Sequence, residues 1–451
     1  MGLRARMVHL IVPQADQREV NMRGIRAGWP WLLVVVWVSV SGAQGRGQLP
    51  QPVDWLEAGL MKGFPPAKES LVTKENWLNY PQLTWSFQHT RELFPTRSVP
   101  RGGKPLEFPV ALCALDSITF KDEQGRDTTF GKFLKDTYTD SILVLHEGRV
   151  VYERYFNQMT PRTPHMLFSV SKSVVGLLAA TLVREGILDE RAPVSKYVPE
   201  LETTALGDAT IRDLLDMRVG VKFSEVYTDP RSDIVAYVLA AEWVPAPAGY
   251  TGPKDLYSMI KGLTQREGPH GDAFGYKSVV SDVLAWAMRK ATGKSLAQMV
   301  SERLWSKMGT EEDGFYLLDP MGTEVAMGGF NATLRDLGRL GQLMLNKGEV
   351  GGRQIIPREV VEEIMAGGDR EAFAKAGMTT RPGWSYKNQW WVTHNDNGAF
   401  MAMGVYGQRL YVDPKVKMVI AKLGSHPVAS NAFTDLVHMK AFQALAKELS
   451  H

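Results

Sequence analysis

Strand-forming residues in this chain are concentrated in two places far apart in sequence, with a long helical stretch between them. The early run, residues 141–156, is rich in Ile, Leu, Val and Tyr and reads as a hairpin turning at Gly148. Strand character returns after Tyr386, and residues 404–414 followed by 416–423 form a second hairpin with its turn at Asp413-Pro414-Lys415. In between, apolar residues spaced three and four apart predict helices over 209–217, 233–242, 253–264, 279–292 and 296–307. One more helix covers 333–345, opened by Thr333-Leu334-Arg335-Asp336 as a capping box with Asp in place of Glu, and a last one runs from about 429 to 449. Separate hairpins cannot bury their faces alone. The pattern therefore predicts an α/β fold in which one antiparallel sheet, built from early and late strands and flanked by helices, encloses a central helical insertion at about 186–325. No internal repeat is evident.

At 451 residues with 44% apolar composition the chain can bury a large core. Its 52 basic and 49 acidic side chains are spread throughout, and no basic tract is interleaved with aromatics, so no nucleic-acid partner is expected. The first 43 residues are excluded from the fold: Arg23 and Arg26 precede an apolar stretch at 29–40, followed by Ser41-Gly42-Ala43, the order of a secretory signal. Export to the periplasm or medium is the expectation, with translation beginning at Met22 and cleavage after Ala43, so that no stable membrane span remains; an uncleaved anchor is the alternative. Residues 44–110, rich in Pro, Gly and aromatics, are expected to wrap the main body, anchored by Trp77 and Trp85. The single cysteine, Cys113, lies among Ala111, Leu112, Ala114 and Leu115 and is expected to be a buried small apolar side chain.

The chemistry centres on Ser169-Val170-Ser171-Lys172. Phe168, Val174, Val175, Leu177, Leu178, Leu182 and Val183 supply a buried flank, which places Ser169 and Lys172 one turn apart at the start of a core helix extending to about Glu185. Burial there would lower the lysine pKa, and a neutral amine beside a hydroxyl can take its proton during attack on a carbonyl. Ser169 is thus the candidate nucleophile and Lys172 the candidate base.

A third group has to pass the proton on. Tyr276, in the loop Phe274-Gly275-Tyr276-Lys277-Ser278 before the 279 helix, is the candidate, on the expectation that a neighbouring ammonium makes its phenol easier to ionise; a packing tyrosine at a helix entry is the alternative. The Ser169 N–H at a helix start can serve an oxyanion hole, and an edge strand made approachable by Gly404 and Gly407 would supply the second donor. The nine histidines have no metal-ligand spacing, so neither a metal nor another cofactor is implied.

In this order, Ser-x-x-Lys, Tyr-x-Ser and a late Gly-rich strand resemble the serine β-lactamase and penicillin-binding protein superfamily, and more narrowly its 6-aminohexanoate-dimer hydrolase and class C-like esterase branch. Supporting stretches are Trp85 to His89, Leu167 to Ser173, Phe223 to Pro230, Gly328 to Thr333 and Gly404 to Gln408, and the resemblance spans about 70–448. It implies a β-lactamase/transpeptidase-like catalytic domain over 111–450. It further implies that Ser169 is acylated, Lys172 is its base, Tyr276 relays the proton, and the N–H groups of Ser169 and Val405 form the oxyanion hole. Tyr227 would lie over the substrate, with Asp229 and Ser278 as further substrate-side positions.

Two departures narrow the substrate. Nothing in the late strand matches the Lys-Thr-Gly signature that β-lactamases and transpeptidases use near a substrate carboxylate, and Ser278 stands where they usually have Asn. A small-molecule amide or short ester, cleaved through a Ser169 acyl-enzyme, is the leading expectation. A D-amino-acid peptidase or β-lactamase, and a non-catalytic cell-envelope binding protein on the same scaffold, are the alternatives. His426, in Gly424-Ser425-His426-Pro427, is expected to be satisfied within its own loop.

Overall fold

A computed structural model describes residues 49–450 apart from position 228. The signal-like segment and its cut after Ala43 lie outside the described residues. In chain order, the elements that position the site begin with Thr96–Val99 (β1), Thr139–His146 (β2), Arg149–Tyr155 (β3), His165–Met166 (β4) and the helix Val170–Arg184 (α1). The middle of the chain is helix and turn and includes Asp233–Ala240 (α2) and Val279–Thr292 (α3). Gly314–Leu317 (β5), Phe330–Ala332 (β6) and Leu334–Leu345 (α4) follow. The last part holds Ser385–Lys387 (β7), Trp390–Val392 (β8), Phe400–Gly404 (β9), Gln408–Asp413 (β10), Met418–Gly424 (β11) and Asp435–Glu448 (α5).

The early and late strands do meet. Seven of them form one sheet in the order β7-β8-β9-β10-β11-β2-β3, antiparallel at every pairing, with β11 and β2 in register from Met418 opposite His146 to Leu423 opposite Ser141 and a one-residue shift before Gly424 opposite Thr139. Strand β2 is buried almost end to end, because its alternate side chains feed two different cores. Leu143 and Leu145 join Leu410, Val419 and the α1 and α4 side chains on one face, while Ile142 and Val144 join Ile420, Tyr411 and Phe442 of α5 on the other. Helix α4 lies directly on the sheet through Gly338 and Gly341, where a Cβ would fall 2.4 Å from the Leu143 side chain and 2.3 Å from that of Val419. A smaller sheet, β1-β5-β6-β4, holds the approach to α1.

Helix α1 is buried all round from Val170 to Leu182, as a helix enclosed between a sheet and other helices must be. It is pinned to the β7–β8 turn. Ser173 Oγ donates to the Gln389 carbonyl at 2.7 Å, and a Cβ on Gly176 would sit 2.1 Å from the Asn388 carbonyl. Trp77 and Trp85 are both buried.

Three expectations are corrected. Cys113 is exposed, not buried: residues 109–113 run along the outer edge of β3, with the Ala111 and Cys113 N–H groups donating to the Val150 and Val151 carbonyls, so Val110 and Leu112 also face solvent. The stretch 404–414 is not one strand. It breaks after Gly404 into a tight turn with Tyr406 at φ 62° and Gly407 at φ 100°, and β10 starts at Gln408. The last helix starts at Asp435 rather than near 429, because the intervening segment curves back over the site, where Asn431 Nδ2 donates to the Gly404 carbonyl at 3.0 Å.

Candidate active site

Ser169 occupies the N-cap position of α1, makes no capping hydrogen bond with its side chain, and lines the cavities beside it. The turn that presents it is strained: Phe168 has φ 46°, a left-handed conformation uncommon outside glycine. Its surroundings hold it there. The Phe168 ring packs edge-on to Phe87 at 4.8 Å and against Tyr406 at 5.1 Å, and the preceding Leu167 N–H donates to the Phe330 carbonyl of β6 at 2.9 Å.

One turn on, the Lys172 side chain is 0% exposed. Its Nζ donates to Ser169 Oγ at 2.8 Å and to the Met327 carbonyl at 2.6 Å. Burial pulls the amine from 10.5 down to about 8, against the opposing influence of the Glu225 and Asp282 charges. That displacement disfavours the charged form by roughly 3 kcal/mol. Once neutral, the amine can accept the Ser169 proton across the same short contact.

The groups around the lysine are held by two carboxyls, buried Asp282 and half-buried Glu225. Asp282 on α3 accepts from Tyr237 Oη at 2.6 Å and from the Ala326 N–H at 2.7 Å, so it fixes the backbone whose next carbonyl holds Lys172. Burial raises its pKa to about 6, opposed by the Tyr237 and Ala326 hydrogen bonds. Glu225 accepts the Tyr227 hydroxyl at 2.6 Å, the Ser278 hydroxyl at 2.7 Å and the Ser278 N–H at 2.7 Å, tying the 225–227 loop to the start of α3.

Tyr276 lies where expected, in the turn before α3. Its ring stacks on Trp391 at 5.3 Å, and its centroid is 5.3 Å from Lys172 Nζ. The expectation that the phenol ionises more easily is overturned. Burial, reinforced by the Glu225 charge, raises its pKa well above the usual value and outweighs the Ser169 hydrogen bond and the Arg381 charge. A phenol in that state is a proton donor at neutral pH.

The N–H groups of Ser169 and Val405 have no protein acceptor among the described residues, and both residues line the cleft. Val405 belongs to the turn after β9, a strand inside the sheet, and not to an edge strand. Gly404 is what lets it come so near: a Cβ there would lie 2.4 Å from the Leu167 carbonyl, the backbone leading to the nucleophile. Two N–H donors at the ends of crossing backbone segments can stabilise an oxyanion.

Tyr227 lines both the open cleft and a second cavity beyond Ser169. Ser278 lines only the second, with its hydroxyl engaged by Glu225. Asp229 belongs to neither lining. Its carboxylate accepts from the Arg231 N–H at 2.9 Å and Nε at 3.3 Å, closing a local turn, so it is removed from the substrate side. His426 is buried away from the cleft, with Nδ1 3.0 Å from the Val428 carbonyl of its own loop, and burial lowers it to about 4.

Against known proteins, residues 127–438 match the family described as Beta-lactamase. The chain belongs to the beta-lactamase family. Within it, the chain is 35% identical over 367 residues to the 6-aminohexanoate-dimer hydrolase of Paenarthrobacter ureafaciens, covering 81% of this chain and 91% of that protein. A solved Bacillus anthracis structure described as a 6-aminohexanoate-dimer hydrolase superposes with a TM-score of 0.79 at 36% identity, over 86% of this chain and 99% of that one. EstCE1, a hydrolase with promiscuous acyltransferase activity, shares the fold at 17% identity and a TM-score of 0.54, over 70% of this chain and 98% of its own. This beta-lactamase family member is an enzyme, a hydrolase.

Several site residues carried no role in the sequence reading. Glu225 stood two positions before Tyr227 in a quoted stretch, yet only the fold shows that it joins Tyr227 to Ser278. Asp282 acts through hydrogen bonds to residues 44 and 45 positions away and Met327 through one to a residue 155 positions away, and no local pattern signals either. Arg381, which lines the cleft, stacks on Trp391 at 4.2 Å and pairs with Asp435 at 2.6 Å.

Proposed function

We propose that this hydrolase cleaves an amide or short ester through a Ser169 acyl-enzyme. Lys172, in its neutral form, takes the Ser169 proton as Oγ attacks the carbonyl, and the oxyanion is received by the Ser169 and Val405 N–H groups. Tyr276 gives a proton to the leaving group and recovers one from Lys172, after which water enters and hydrolyses the ester. Tyr227 lies over the bond being cut, positioned by Glu225. The observation that carries the reading is the 2.8 Å contact between a fully buried Lys172 amine and a Ser169 hydroxyl that opens onto a cleft. The relative from Paenarthrobacter ureafaciens bears the name of a 6-aminohexanoate-dimer hydrolase, which supports trying linear amides as well as esters.

Stopped-flow hydrolysis of p-nitrophenyl acetate tests this. A burst stoichiometric with enzyme, absent in Ser169→Ala, is the expected result; turnover with an unchanged burst in the variant would overturn it.

A further inference from the structure

Ser169 stands between two cavities of unlike character. The open cleft, about 540 Å³, is lined by polar groups that include Glu225, Tyr276, Arg381 and Asn431. The second, about 100 Å³, shares Ser169, Tyr227 and Val405 with the first but is walled by Phe168, Ile234, Val238, Trp243 and Val244. Among the described residues no Asp, Glu, Lys or Arg lines it. Its few polar groups carry no counter-charge: the Tyr227 and Ser278 hydroxyls are committed to Glu225, the Trp243 indole N–H, buried without an acceptor, can only donate, and the Tyr406 phenol is kept neutral by burial.

A scissile bond at Ser169 divides the substrate between these cavities. The leaving group has to reach its proton donor, and Tyr276 lines the open cleft and not the apolar one. The acyl chain is left for the apolar cavity. Its volume is well below the roughly 300–1,000 Å³ of sites that enclose drug-sized ligands, so the chain is short. A charged end placed there would lose its hydration and find no counter-charge.

We propose that the apolar cavity is an acyl pocket for a short, uncharged hydrocarbon chain, and that the enzyme discriminates against acyl groups ending in a charge. The inference rests on the Ser169 acyl-enzyme reading above. It assigns Ile234 and Val238 of α2, with Val244, to specificity, and it sends the polar part of the substrate to the leaving-group side.

The test uses the purified protein with p-nitrophenyl butanoate and p-nitrophenyl 3-aminopropanoate, whose acyl groups have the same number of heavy atoms and differ by an ammonium. Each kcat/KM is divided by the uncatalysed rate of the same ester, and acylation of Ser169 is followed by intact mass. The butanoate is expected to be favoured by more than about tenfold. Val238→Phe is expected to lower the butanoate-to-acetate ratio of kcat/KM by about tenfold, and Val238→Ala to raise the hexanoate-to-butanoate ratio several-fold. Equal acylation of Ser169 by the neutral and charged esters, or ratios unmoved by both substitutions, would overturn the acyl pocket while leaving the acyl-enzyme intact. Absence of any adduct on Ser169 from every ester would overturn the acyl-enzyme reading, and the pocket with it.

Discussion

Among the described residues two lysines are completely buried, and only one of them is placed to do chemistry. Lys172, at the start of α1, is lowered to about 8 and touches the Ser169 hydroxyl at 2.8 Å. Lys422, on β11, is lowered further, to about 7, by burial and then by the Arg409 charge, with Asp140 opposing. Yet its one hydrogen-bond partner among the described residues is the Thr137 carbonyl at 3.4 Å, which has no proton to give. Its amine sits under the 404–407 turn, 3.6 Å from where a Cβ on Gly407 would be. Burial sets whether a lysine can be neutral near physiological pH, but the partner decides whether that neutrality is useful. Ser169 is a partner open to substrate; the carbonyl beside Lys422 is not.

The sharpest way to break this contrast is to remove each amine. Lys172→Ala is expected to slow acylation by about two to four orders of magnitude, measured as the burst rate. Lys422→Met, close in volume, is expected to leave that rate within about twofold; an equal loss in both variants would erase the distinction. Gly404→Ala addresses the turn above Lys422 and not the amine itself. Its Cβ meets the Leu167 backbone, so the Val405 N–H is displaced and acylation is expected to fall about a hundredfold, the scale of losing one oxyanion donor.

The pH profile separates the two lysines more finely. The base works unprotonated, so kcat/KM is expected to rise about tenfold per pH unit below a midpoint near 8 and then level off. Since Lys422 titrates in a similar range, the Lys422→Met profile is the control, and it should keep the same limb. The Glu225 charge holds the Lys172 pKa up, so Glu225→Gln is expected to move the limb to lower pH; a shift upward would contradict the assigned electrostatics.

Stability shows the smallest effect. Both amines have folded values below the ordinary 10.5, so between about 7 and 10.5 the unfolded chain binds more protons than the folded one. Stability from these groups therefore rises with pH across that window and is lowest beneath it. Lys422→Met is expected to flatten part of that rise in denaturant titrations at pH 6 and pH 9.

Much of the site was legible because its parts are local. Ser169 and Lys172 are one helical turn apart, Tyr276 precedes a helix with a clear apolar rhythm, and Gly404 announces a close approach of backbones. What was misread depended on neighbours supplied by distant chain. Asp229 sits in a suggestive segment but closes on Arg231, Cys113 has apolar sequence neighbours yet lies along a sheet edge, and the Tyr276 phenol is pushed up by burial where a nearby amine suggested the reverse.

Sequence by itself determined which residue types stand at which spacing: the two strand groups, the buried helix α1 with its hydroxyl and amine, and the absence of the Lys-Thr-Gly signature. Periodicity and spacing are properties of adjacent residues, so they survive without a fold. Tertiary structure alone decided which of two buried lysines meets a hydroxyl, that Glu225 ties Tyr227 to Ser278, and that Ser169 opens onto one open cleft carrying charged and polar groups and one apolar cavity. Those outcomes turn on desolvation and on contacts between residues far apart in the chain, which exist only once the sheet has joined its early and late strands.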